Sequence, residues 1–496
     1  MAFSYEMKRT GKTPAGGDPM TRKIVIVGGG VAGLTAGIYL SRAGYNCTIY
    51  EGNHFAGGNL TGWDRGEYHI DNCIHWLTGT DPRSSTHQIW LDTGALGGVG
   101  VIQPEKVFSS VLHGEKATLW CDLARTREEL HKLSPEDGAA IDRFLVGVRA
   151  LSPGGVRAVG YGRAAAALLH FVRRNLYAAA ADFRHPLLRN MMTDYIGGPF
   201  SALGLLIPYA DIASGNGGIP EGGSRAMAKR MEELFISLGG DLRLGTKVRR
   251  ILTAHGKATG VELESGEQAD SSLVIAATDP SVTFGTLLPS SYTPAWFLRT
   301  CDDEVHQRFS SIHAAFSCDA DDVPFTGTEI IPIRPFRVND TKFCRLPVRE
   351  YSAQKTFAPK GKTVLEALLF TREHLSRELI KIGESGRGYE DAKEAIGRAL
   401  AERIMEAYPA LSASLSVLDV WTPYTYYRYF DAPLGAYMAY AVTPQNLIDR
   451  FSMRVPGLSN VLLASQWLRS PGGLPNAAKA GKRAADFVLR HGKRLF

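Results

Sequence analysis

Several features that mark other classes of protein are absent from this 496-residue chain. None of its six cysteines belongs to a C-x-x-C pair, and no histidine stands at zinc-ligand spacing from one of them. The pattern therefore predicts no metal site, and free thiols in a reducing compartment. No stretch reaches the roughly 18 uncharged apolar residues that a membrane span requires. The polar segment at residues 1–21 lacks the apolar core of a signal peptide, so we predict a disordered tail there and a cytoplasmic protein.

A strong excess of either charge is also missing. The formal net charge of +6 is small for this length, so we expect no nucleic-acid partner. The same weak basicity suits a peripheral contact with anionic lipid, which leaves membrane association open. The hydrophobic share of 44% is ordinary for a globular enzyme, and the length favours two or more interleaved domains. The oligomeric state stays unknown at this point.

The first apolar segment carries a nucleotide-binding pattern. Residues 23–52 read KIVIVGGGVAGLTAGIYLSRAGYNCTIYEG, which is a β-branched strand, a glycine turn, a helix and a second strand that ends in an acid. Gly28 permits a tight turn, Gly30 lets the backbone approach a pyrophosphate, and Gly33 lets the helix pack closely on the strand. Glu51 is suited to accept hydrogen bonds from ribose hydroxyls and would repel a 2′-phosphate. This segment alone leaves NAD and FAD open.

Later stretches extend the pattern. A glycine pair, Gly57-Gly58, follows soon after Glu51, and residues 219–280 contain a Pro-Glu-Gly-Gly start and the strand around Val248. Residues 460–485 read NVLLASQWLRSPGGLPNAAKAGKRAA. Together these stretches resemble the carotenoid (phytoene) desaturase, carotenoid isomerase and retinol saturase family of FAD-dependent oxidoreductases. The resemblance spans nearly the whole chain and implies FAD as the cofactor.

The resemblance also implies which residues hold the cofactor. It places the strand around Val248 against the adenine. It places the helix that follows Gly473 at the pyrimidine end of the flavin, where the helix dipole stabilises the negative charge of the reduced ring. Relatives often carry Gly-Asp or Gly-Thr where this chain reads Ala464-Ser465-Gln466, so neutral hydrogen bonds from the serine or glutamine are expected instead. The predicted cofactor-binding residues are Gly28, Gly30, Val31, Ala32, Gly33, Glu51, Gly57, Gly58, Asn59, Val248, Ser465, Gln466, Gly473, Leu474 and Pro475.

The predicted fold class is α/β, with a Rossmann-type FAD-binding domain of the GR2 flavoprotein type and an inserted α+β substrate domain. The dinucleotide motif lies at the start of the chain, and a similar strand-loop-helix pattern occurs again at its end. We therefore expect the FAD-binding domain to be discontinuous in sequence. We predict that residues 22–100, 215–290 and 450–490 form the FAD-binding domain, and that residues 101–214 and 291–449 form the substrate-binding cap. A second G-x-G-x-x-G is absent, so no separate nicotinamide domain is expected.

Two segments are candidates for contact with the substrate. Residues 68–80, YHIDNCIHWLTGT, stand where relatives carry an F-D-x-G segment that passes the flavin. Within them His75 is a candidate proton donor near flavin N5, and a core histidine bonded to backbone is the alternative. Residues 422–440, TPYTYYRYFDAPLGAYMAY, resemble the segment that lines the substrate tunnel in the family. The tyrosines of this segment suit an aromatic wall of the tunnel. Because side chains alternate between faces, half of these tyrosines are expected in the core or on the surface instead. Tyr427 is the second catalytic candidate.

These patterns predict an FAD-dependent oxidoreductase that desaturates, saturates or isomerises carbon–carbon double bonds of a hydrophobic polyene or unsaturated lipid. One alternative is an FAD-dependent, amine oxidase-like enzyme. Another is a flavin-binding protein that binds lipid without turnover. The apolar, arginine-containing stretch at residues 161–192 suits a lid or a membrane-surface helix, and equally an amphipathic helix packed on the core.

Overall fold

The computed structural model describes residues 22–302 and 304–496, and the predicted tail at residues 1–21 lies outside the described residues. The strands and helices are numbered in chain order. The strands are β1 (Lys23–Val27), β2 (Asn46–Tyr50), β3 (Gly62–Arg65), β4 (Tyr68–Asp71), β5 (Leu77–Thr78), β6 (Val101–Ile102), β7 (Lys106–Leu112), β8 (Glu115–Trp120), β9 (Gly217–Pro220), β10 (Asp241–Arg243), β11 (Val248–Ala254), β12 (Lys257–Leu263), β13 (Gln268–Asp270), β14 (Leu273–Ala276), β15 (Ser310–Asp319), β16 (Thr328–Val338), β17 (Thr341–Glu350), β18 (Lys362–Thr371), β19 (Ser416–Trp421) and β20 (Val461–Leu463). The α-helices are α1 (Val31–Arg42), α2 (Ser85–Asp92), α3 (Leu123–Leu133), α4 (Gly138–Leu151), α5 (Gly155–Val159), α6 (Tyr161–Val172), α7 (Leu176–Ala180), α8 (Pro186–Asp194), α9 (Leu203–Ala213), α10 (Gly223–Ser237), α11 (Pro280–Val282), α12 (Ala295–Asp302), α13 (Glu373–Ser385), α14 (Tyr389–Ala407), α15 (Pro423–Phe430) and α16 (Leu474–Leu495).

A five-stranded parallel sheet in the order β10-β2-β1-β14-β20 forms one half of the fold. The strand β1 is apolar on both faces, as expected for a parallel sheet that is covered on both sides. Ile24 and Ile26 pack with α1, α10 and α16. Val25 and Val27 pack on the other face, against the antiparallel sheet β11-β12-β13.

Two helices on the first face approach each other and the sheet unusually closely. At Gly37 of α1, a Cβ would lie 2.7 Å from the ring of Phe235, which is fully buried on α10. At Gly481 of α16, a Cβ would lie 2.2 Å from the carbonyl oxygen of Ala32. The absence of side chains at these positions therefore lets α1, α10 and α16 form one compact layer on the sheet.

A seven-stranded sheet in the order β19-β15-β18-β17-β16-β7-β8 forms the second half. Its neighbours are antiparallel except for β16 and β7, which are parallel. Helices α13 and α14 cover one face, together with the apolar side chains of β15, β17 and β18. Helices α4 and α6 to α9 pack with β7 and β8 in a separate apolar cluster. The opposite face of the central strands looks into the cavity described below.

The five-stranded sheet draws its strands from residues 23–50, 241–276 and 461–463, which are far apart in the chain. Residues 106–120, 310–371 and 416–421 supply the seven-stranded sheet. The proposed division into FAD-binding and cap segments stays a prediction.

The tight helix layer makes Phe235 a sensitive position. We expect Phe235→Ala to lower the free energy of unfolding by about 3–5 kcal/mol, because it leaves a cavity between α10 and Gly37. The neighbouring Ile236 is 50% exposed, so Ile236→Ala is the matched control and should cost about 0.5 kcal/mol or less. Urea denaturation followed by circular dichroism measures both. Equal losses in the two variants would contradict this packing.

Candidate functional site

A single elongated cavity of about 770 Å³ connects the two halves of the fold. Its volume lies within the range of about 300–1,000 Å³ that is typical of ligand pockets. One wall is built from loops at the carboxyl ends of β1, β2, β14 and β20, where parallel sheets commonly bind nucleotides. The other wall is the face of the seven-stranded sheet that α13 and α14 leave uncovered.

The turn between β1 and α1 forms the first part of the cavity wall. Gly28 has a φ of +102°, which favours glycine, and a Cβ there would lie 2.9 Å from the carbonyl oxygen of Ala277. At Gly33 a Cβ would lie 2.0 Å from the carbonyl oxygen of Gly28. Gly33 does not line the cavity, and its role in the structure is to let the first turn of α1 sit directly on the loop. The free N–H groups of that turn therefore face the cavity.

The acid at the end of β2 is held in a fixed orientation. The Glu51 carboxylate accepts hydrogen bonds from the backbone N–H of Gly29 at 2.7 Å and of Asn53 at 2.9 Å. Glu51 is 9% exposed and lines the cavity. It therefore links the glycine loop to the next segment at the place where an acid is expected to meet ribose hydroxyls.

The same end of the cavity is closed by Val248 and by the end of α15. The Lys247 ammonium donates to Asp431 at 3.0 Å, and the Asn53 side-chain amide donates to the carbonyl oxygen of Tyr429 at 2.6 Å. These contacts join the β2 and β11 segments to residues 429–431, which also line the cavity. The cavity therefore has a defined wall beyond Glu51.

At the other end, the start of α16 faces the cavity. The Gln466 side-chain oxygen accepts a hydrogen bond from the backbone N–H of Gly473 at 2.7 Å, so it holds the loop that precedes the helix. Leu474 is the first residue of α16 and Pro475 follows it, which leaves the free N–H groups of the first turn directed towards the cavity. The Ser465 hydroxyl accepts from the backbone N–H of Trp467. Both polar side chains that were expected to replace an Asp or Thr therefore also stabilise this loop.

A buried acid that sequence reasoning missed lies near the same loops. Asp279 follows β14 and lines the cavity, and its Oδ2 atom is buried without a hydrogen-bond partner among the described residues. Burial raises the pKa of Asp279, although the nearby Arg308 acts in the opposite direction. The only sequence signal was an acid directly after a buried strand, and that pattern is too common to single out this residue.

The glycine pair after Glu51 and the following Asn59 complete this wall. Gly57 has a φ of +113° and pairs with Gly30 across the loop. The Asn59 side-chain amide donates to the carbonyl oxygen of Tyr437 at 2.9 Å, whereas its Oδ1 atom is buried and unpartnered among the described residues. Orphaned buried oxygens at Asn59 and Asp279 indicate positions where a bound group would supply hydrogen bonds.

The face of the seven-stranded sheet that borders the cavity is divided into an apolar part and a polar part. Apolar side chains project from β16, β17 and β18 beside a chain of aromatic rings in which Phe309 contacts Phe200 and Phe370. The polar part includes His313, Arg349 and Glu366. The apolar floor residues are Ile330, Pro347 and Leu368.

His75 lines the cavity opposite the polar part, with its Nε2 atom 3.8 Å from Glu366 Oε2. Its side chain is 28% exposed. The Asp71 carboxylate, by contrast, accepts from the backbone N–H and hydroxyl of Ser224 and from the backbone N–H of Ile74. Asp71 therefore fixes the start of α10 and the turn that carries His75.

The second catalytic candidate is placed elsewhere. Tyr427 lies on α15, is 38% exposed and does not line the cavity. A hydrogen bond with Glu384 is the main cause of a raised pKa of the Tyr427 hydroxyl. The structure therefore places Tyr427 away from the cavity, because the helix turns its ring outward while the ring of the preceding Tyr426 is fully buried. The catalytic role of Tyr427 stays a prediction. Of the tyrosines in this segment, Tyr429 and Tyr437 do line the cavity.

Most predicted site residues thus meet around one cavity, although their roles stay a prediction. The predicted residues that line it are Gly28, Gly30, Val31, Ala32, Glu51, Gly57, Gly58, Asn59, His75, Val248, Ser465, Gln466, Gly473, Leu474 and Pro475.

Two family models match parts of this chain. A model of an NAD(P)-binding Rossmann-like domain matches residues 26–90, and a model of flavin containing amine oxidoreductases matches residues 164–317. The first match includes the glycine loop and Glu51, and the second includes Val248 and β14. Both matched regions contribute to the cavity wall.

Several curated relatives are named as carotenoid desaturases or oxygenases. A phytoene desaturase (neurosporene-forming) of Rhodobacter capsulatus is 26% identical over 298 residues, and a phytoene desaturase of Cercospora nicotianae is 25% identical over 306 residues. These matches cover 54% and 53% of this chain and 54% and 46% of the relatives, so the chain spans about half the length of these two relatives. A 4,4'-diapolycopene oxygenase of a Methylomonas species is 25% identical over 517 residues, which covers 94% of this chain and 98% of that relative.

Solved structures show the same fold. An oxidoreductase from Methanosarcina mazei superposes with a TM-score of 0.64 at 17% identity, covering 94% of this chain and 100% of that one. Cyclohexylamine oxidase from Brevibacterium oxydans gives a TM-score of 0.54 at 16% identity, covering 95% and 100%. At such low identities these similarities are evidence for the fold alone.

Together the comparisons confirm the resemblance to the carotenoid desaturases and the predicted fold class, an α/β fold with a Rossmann-type domain. The match to the model of flavin containing amine oxidoreductases also indicates a flavin cofactor.

The close contact beneath the glycine loop makes Gly33 a sensitive position. We expect Gly33→Ala to abolish flavin retention and to lower the melting temperature, because a Cβ would lie 2.0 Å from the carbonyl oxygen of Gly28. Gly162→Ala, at a helical position with open space, is the control and should bind flavin normally. Visible absorbance of the purified proteins and thermal melting measure the effect. A yellow, equally stable Gly33→Ala protein would refute the proposed loop packing.

Proposed function

We propose that this chain is an FAD-dependent oxidoreductase acting on the carbon–carbon double bonds of a hydrophobic polyene or unsaturated lipid. The observation that carries the proposal is the continuity of one cavity. It begins at a nucleotide-type glycine loop, passes the start of α16, and continues over an apolar and aromatic floor. A long cofactor and an apolar substrate therefore have adjoining places in one site.

The residues present fit FAD. Glu51 and Val248 suit the adenosine half, and the free N–H groups at the start of α1 suit the pyrophosphate. The start of α16 suits the electron-rich side of the flavin ring, and the orphaned oxygens of Asn59 and Asp279 offer further hydrogen-bond positions along the way. When bound, FAD supplies two-electron chemistry at a C–H bond.

The chain's own contribution is to bind, orient and shield. Apolar side chains such as Ile330, Leu368 and Phe370 exclude water from a substrate carbon chain. The aromatic rings of Phe309 and Tyr437, 5.7 Å apart between centroids, restrict its path. Relatives named phytoene desaturase and 4,4'-diapolycopene oxygenase support a polyene substrate class for this site.

A direct assay tests this function. Purified protein with FAD is incubated with a long linear polyene, in air and then without oxygen using reduced flavin, and the products are analysed by mass spectrometry. A loss of two hydrogens means desaturation, a gain of two means saturation, and an unchanged mass with a new isomer means isomerisation. Turnover of primary amines without any polyene product would instead favour the amine oxidase-like alternative. Flavin binding without any turnover would favour the lipid-binding alternative.

Substitution of one aromatic residue of the cavity floor provides a second test of this function. We expect Phe309→Asn to reduce kcat/KM for the polyene by at least about tenfold, since a polar group replaces an aromatic contact worth about 2 kcal/mol in the substrate path. Flavin absorbance should not change, because Phe309 does not touch the glycine loop. Phe487→Asn, a partly buried position on α16 outside the cavity wall, controls for general destabilisation. Equal kcat/KM in Phe309→Asn and the parent protein would place the substrate elsewhere.

We also propose that the cavity is supplied from a membrane surface. Tyr161, Leu169 and Tyr177 on α6 and α7 are 70%, 73% and 60% exposed. The backbone N–H of Leu176 donates to the carbonyl oxygen of Phe200, which lines the cavity, so these helices adjoin its wall. Arg163 and Arg173 of the same segment are also exposed. Within the described residues, no helix is both long and apolar enough to cross a bilayer.

Vesicle binding tests this contact. We expect the protein to cosediment with phosphatidylglycerol-containing vesicles at low salt, and less at high salt, because exposed arginines attract anionic headgroups within a Debye length. The combined Tyr161→Ser, Leu169→Ser and Tyr177→Ser variant should lose most binding. Ile448→Ser, at an 83% exposed position outside this surface, is the control. Equal binding by all three proteins would show that α6 and α7 do not mediate it.

A further inference from the structure

A polar row crosses the floor of the cavity. In the strand register, Thr328 on β16 lies opposite Arg349 on β17, and Arg349 lies opposite Glu366 on β18. The strand β15 adds His313 next to Glu366. Glu366 and His313 are 3% and 1% exposed. A floor that served only an apolar chain would not need these groups, because burial of charged side chains is unfavourable unless they are paired.

Glu366 is the centre of a hydrogen-bonded group. Its Oε1 atom accepts from His313 Nδ1 at 2.5 Å, and its Oε2 atom accepts from the Tyr351 hydroxyl at 2.6 Å. Burial alone would raise the pKa of Glu366, but the hydrogen bond from His313 and the nearby His75 outweigh it and hold the pKa well below its usual range. The carboxylate is therefore ionised.

His313 is fixed in one orientation. Its ring stacks on the indole of Trp421, with 4.7 Å between the centroids. Its Nε2 atom contacts the Ser311 hydroxyl at 2.5 Å, which leaves Nδ1–H to donate to Glu366. Burial lowers the pKa of His313 and outweighs the opposing effect of Glu366, so the ring is neutral. His313 therefore orients the carboxylate and leaves its charge in place.

The remaining histidine of the group is His75. Its Nε2 atom faces Glu366 Oε2 at 3.8 Å, and its Nδ1 atom makes no hydrogen bond with a described residue. Arg349 donates to the His75 carbonyl oxygen at 2.7 Å, which fixes the backbone that carries the ring. One ring nitrogen thus faces a carboxylate, while the ring itself is accessible from the cavity. This is the arrangement in which a carboxylate orients an imidazole and stabilises its protonated form.

We propose that Glu366, held by His313 and Tyr351, is the positioning residue that makes His75 the proton acceptor or donor for the substrate. This inference rests on the proposed function, which it deepens by adding a proton-transfer step to the cavity. In desaturation, His75 would accept one hydrogen of a CH–CH unit as a proton and pass it to solvent. Bound oxidised FAD would supply the acceptor for the other hydrogen as a hydride, so that a C=C bond would form. In saturation, His75 would donate the proton, and bound reduced FAD would be the source of the hydride.

Other titratable and charged groups lie around His75, and their charge states are as follows. Arg349 on β17 is the one cation of the polar row, and it donates to the backbone carbonyl oxygen of His75. Burial raises the pKa of Tyr195, of Tyr437 and of the Cys73 thiol, so these three groups stay neutral. Glu366 is therefore the anion that faces His75 within this group.

The test measures His75 directly by NMR, in the holoenzyme labelled with ¹³C at histidine Cε1. The His75 signal is assigned by its loss in His75→Gln. We expect Glu366→Gln to move the midpoint of the pH-dependent shift of this signal to lower pH by about one unit, the effect of losing one nearby opposite charge. Tyr351→Phe keeps the carboxylate but removes a competing donor, so it should move the midpoint in the other direction.

Glu329→Gln is the matched control. Glu329 is a 1% exposed carboxylate on β16 that contacts Lys116 and Tyr408 and does not line the cavity. Its loss should leave the His75 midpoint unchanged. The pH dependence of kcat/KM with the polyene should move with the NMR midpoint in each variant.

The outcomes separate this inference from the proposed function. An unchanged His75 midpoint in both folded Glu366→Gln and Tyr351→Phe proteins would overturn the inference, whether or not a polyene is converted. Shifted midpoints without any polyene product would support the coupling of the residues and contradict the proposed substrate class. If Glu366→Gln does not fold, the direction of the shift in Tyr351→Phe decides.

Discussion

The structure depends on one close backbone contact, between the start of α1 and the loop that precedes it. A Cβ at Gly33 would lie 2.0 Å from the carbonyl oxygen of Gly28, so only glycine permits the helix to start where it does. The same helix is locked to α16 at Gly481 in the same way. Both helix starts that face the cavity are therefore fixed relative to each other. The distance between these two helix starts along the cavity follows from this packing.

The second half of the fold supplies a broad floor for the cavity, which the Rossmann-type half lacks. Its sheet presents an apolar row and a polar row side by side, so the site combines exclusion of water with a small set of charged groups. Groups of this kind act more strongly in a dry cavity than in water. The proton transfer that we propose therefore has a defined place beside an apolar path.

The sequence predicted the local parts of the site and missed the parts that the topology brings together. Gly28 to Glu51 lie in one continuous β-α-β unit, so spacing alone located them. His75 was found because it follows a family segment. Glu366 and His313 stand on separate strands, and each reads as an ordinary strand residue in isolation. Tyr427 lies outside the cavity wall because its segment forms α15, where the strand-like alternation assumed from the sequence does not hold.

The polar row also constrains the sheet that carries it. Val348 pairs with Ala367 in the register that pairs Arg349 with Glu366, and the first pair faces the apolar core beneath α13 and α14. Because strand side chains alternate between faces, a slip of one residue in β17 or β18 would place a charge in that core. The unfavourable burial of an unpaired charge therefore helps to specify the register. The groups that we assign to proton transfer thus also take part in defining the fold.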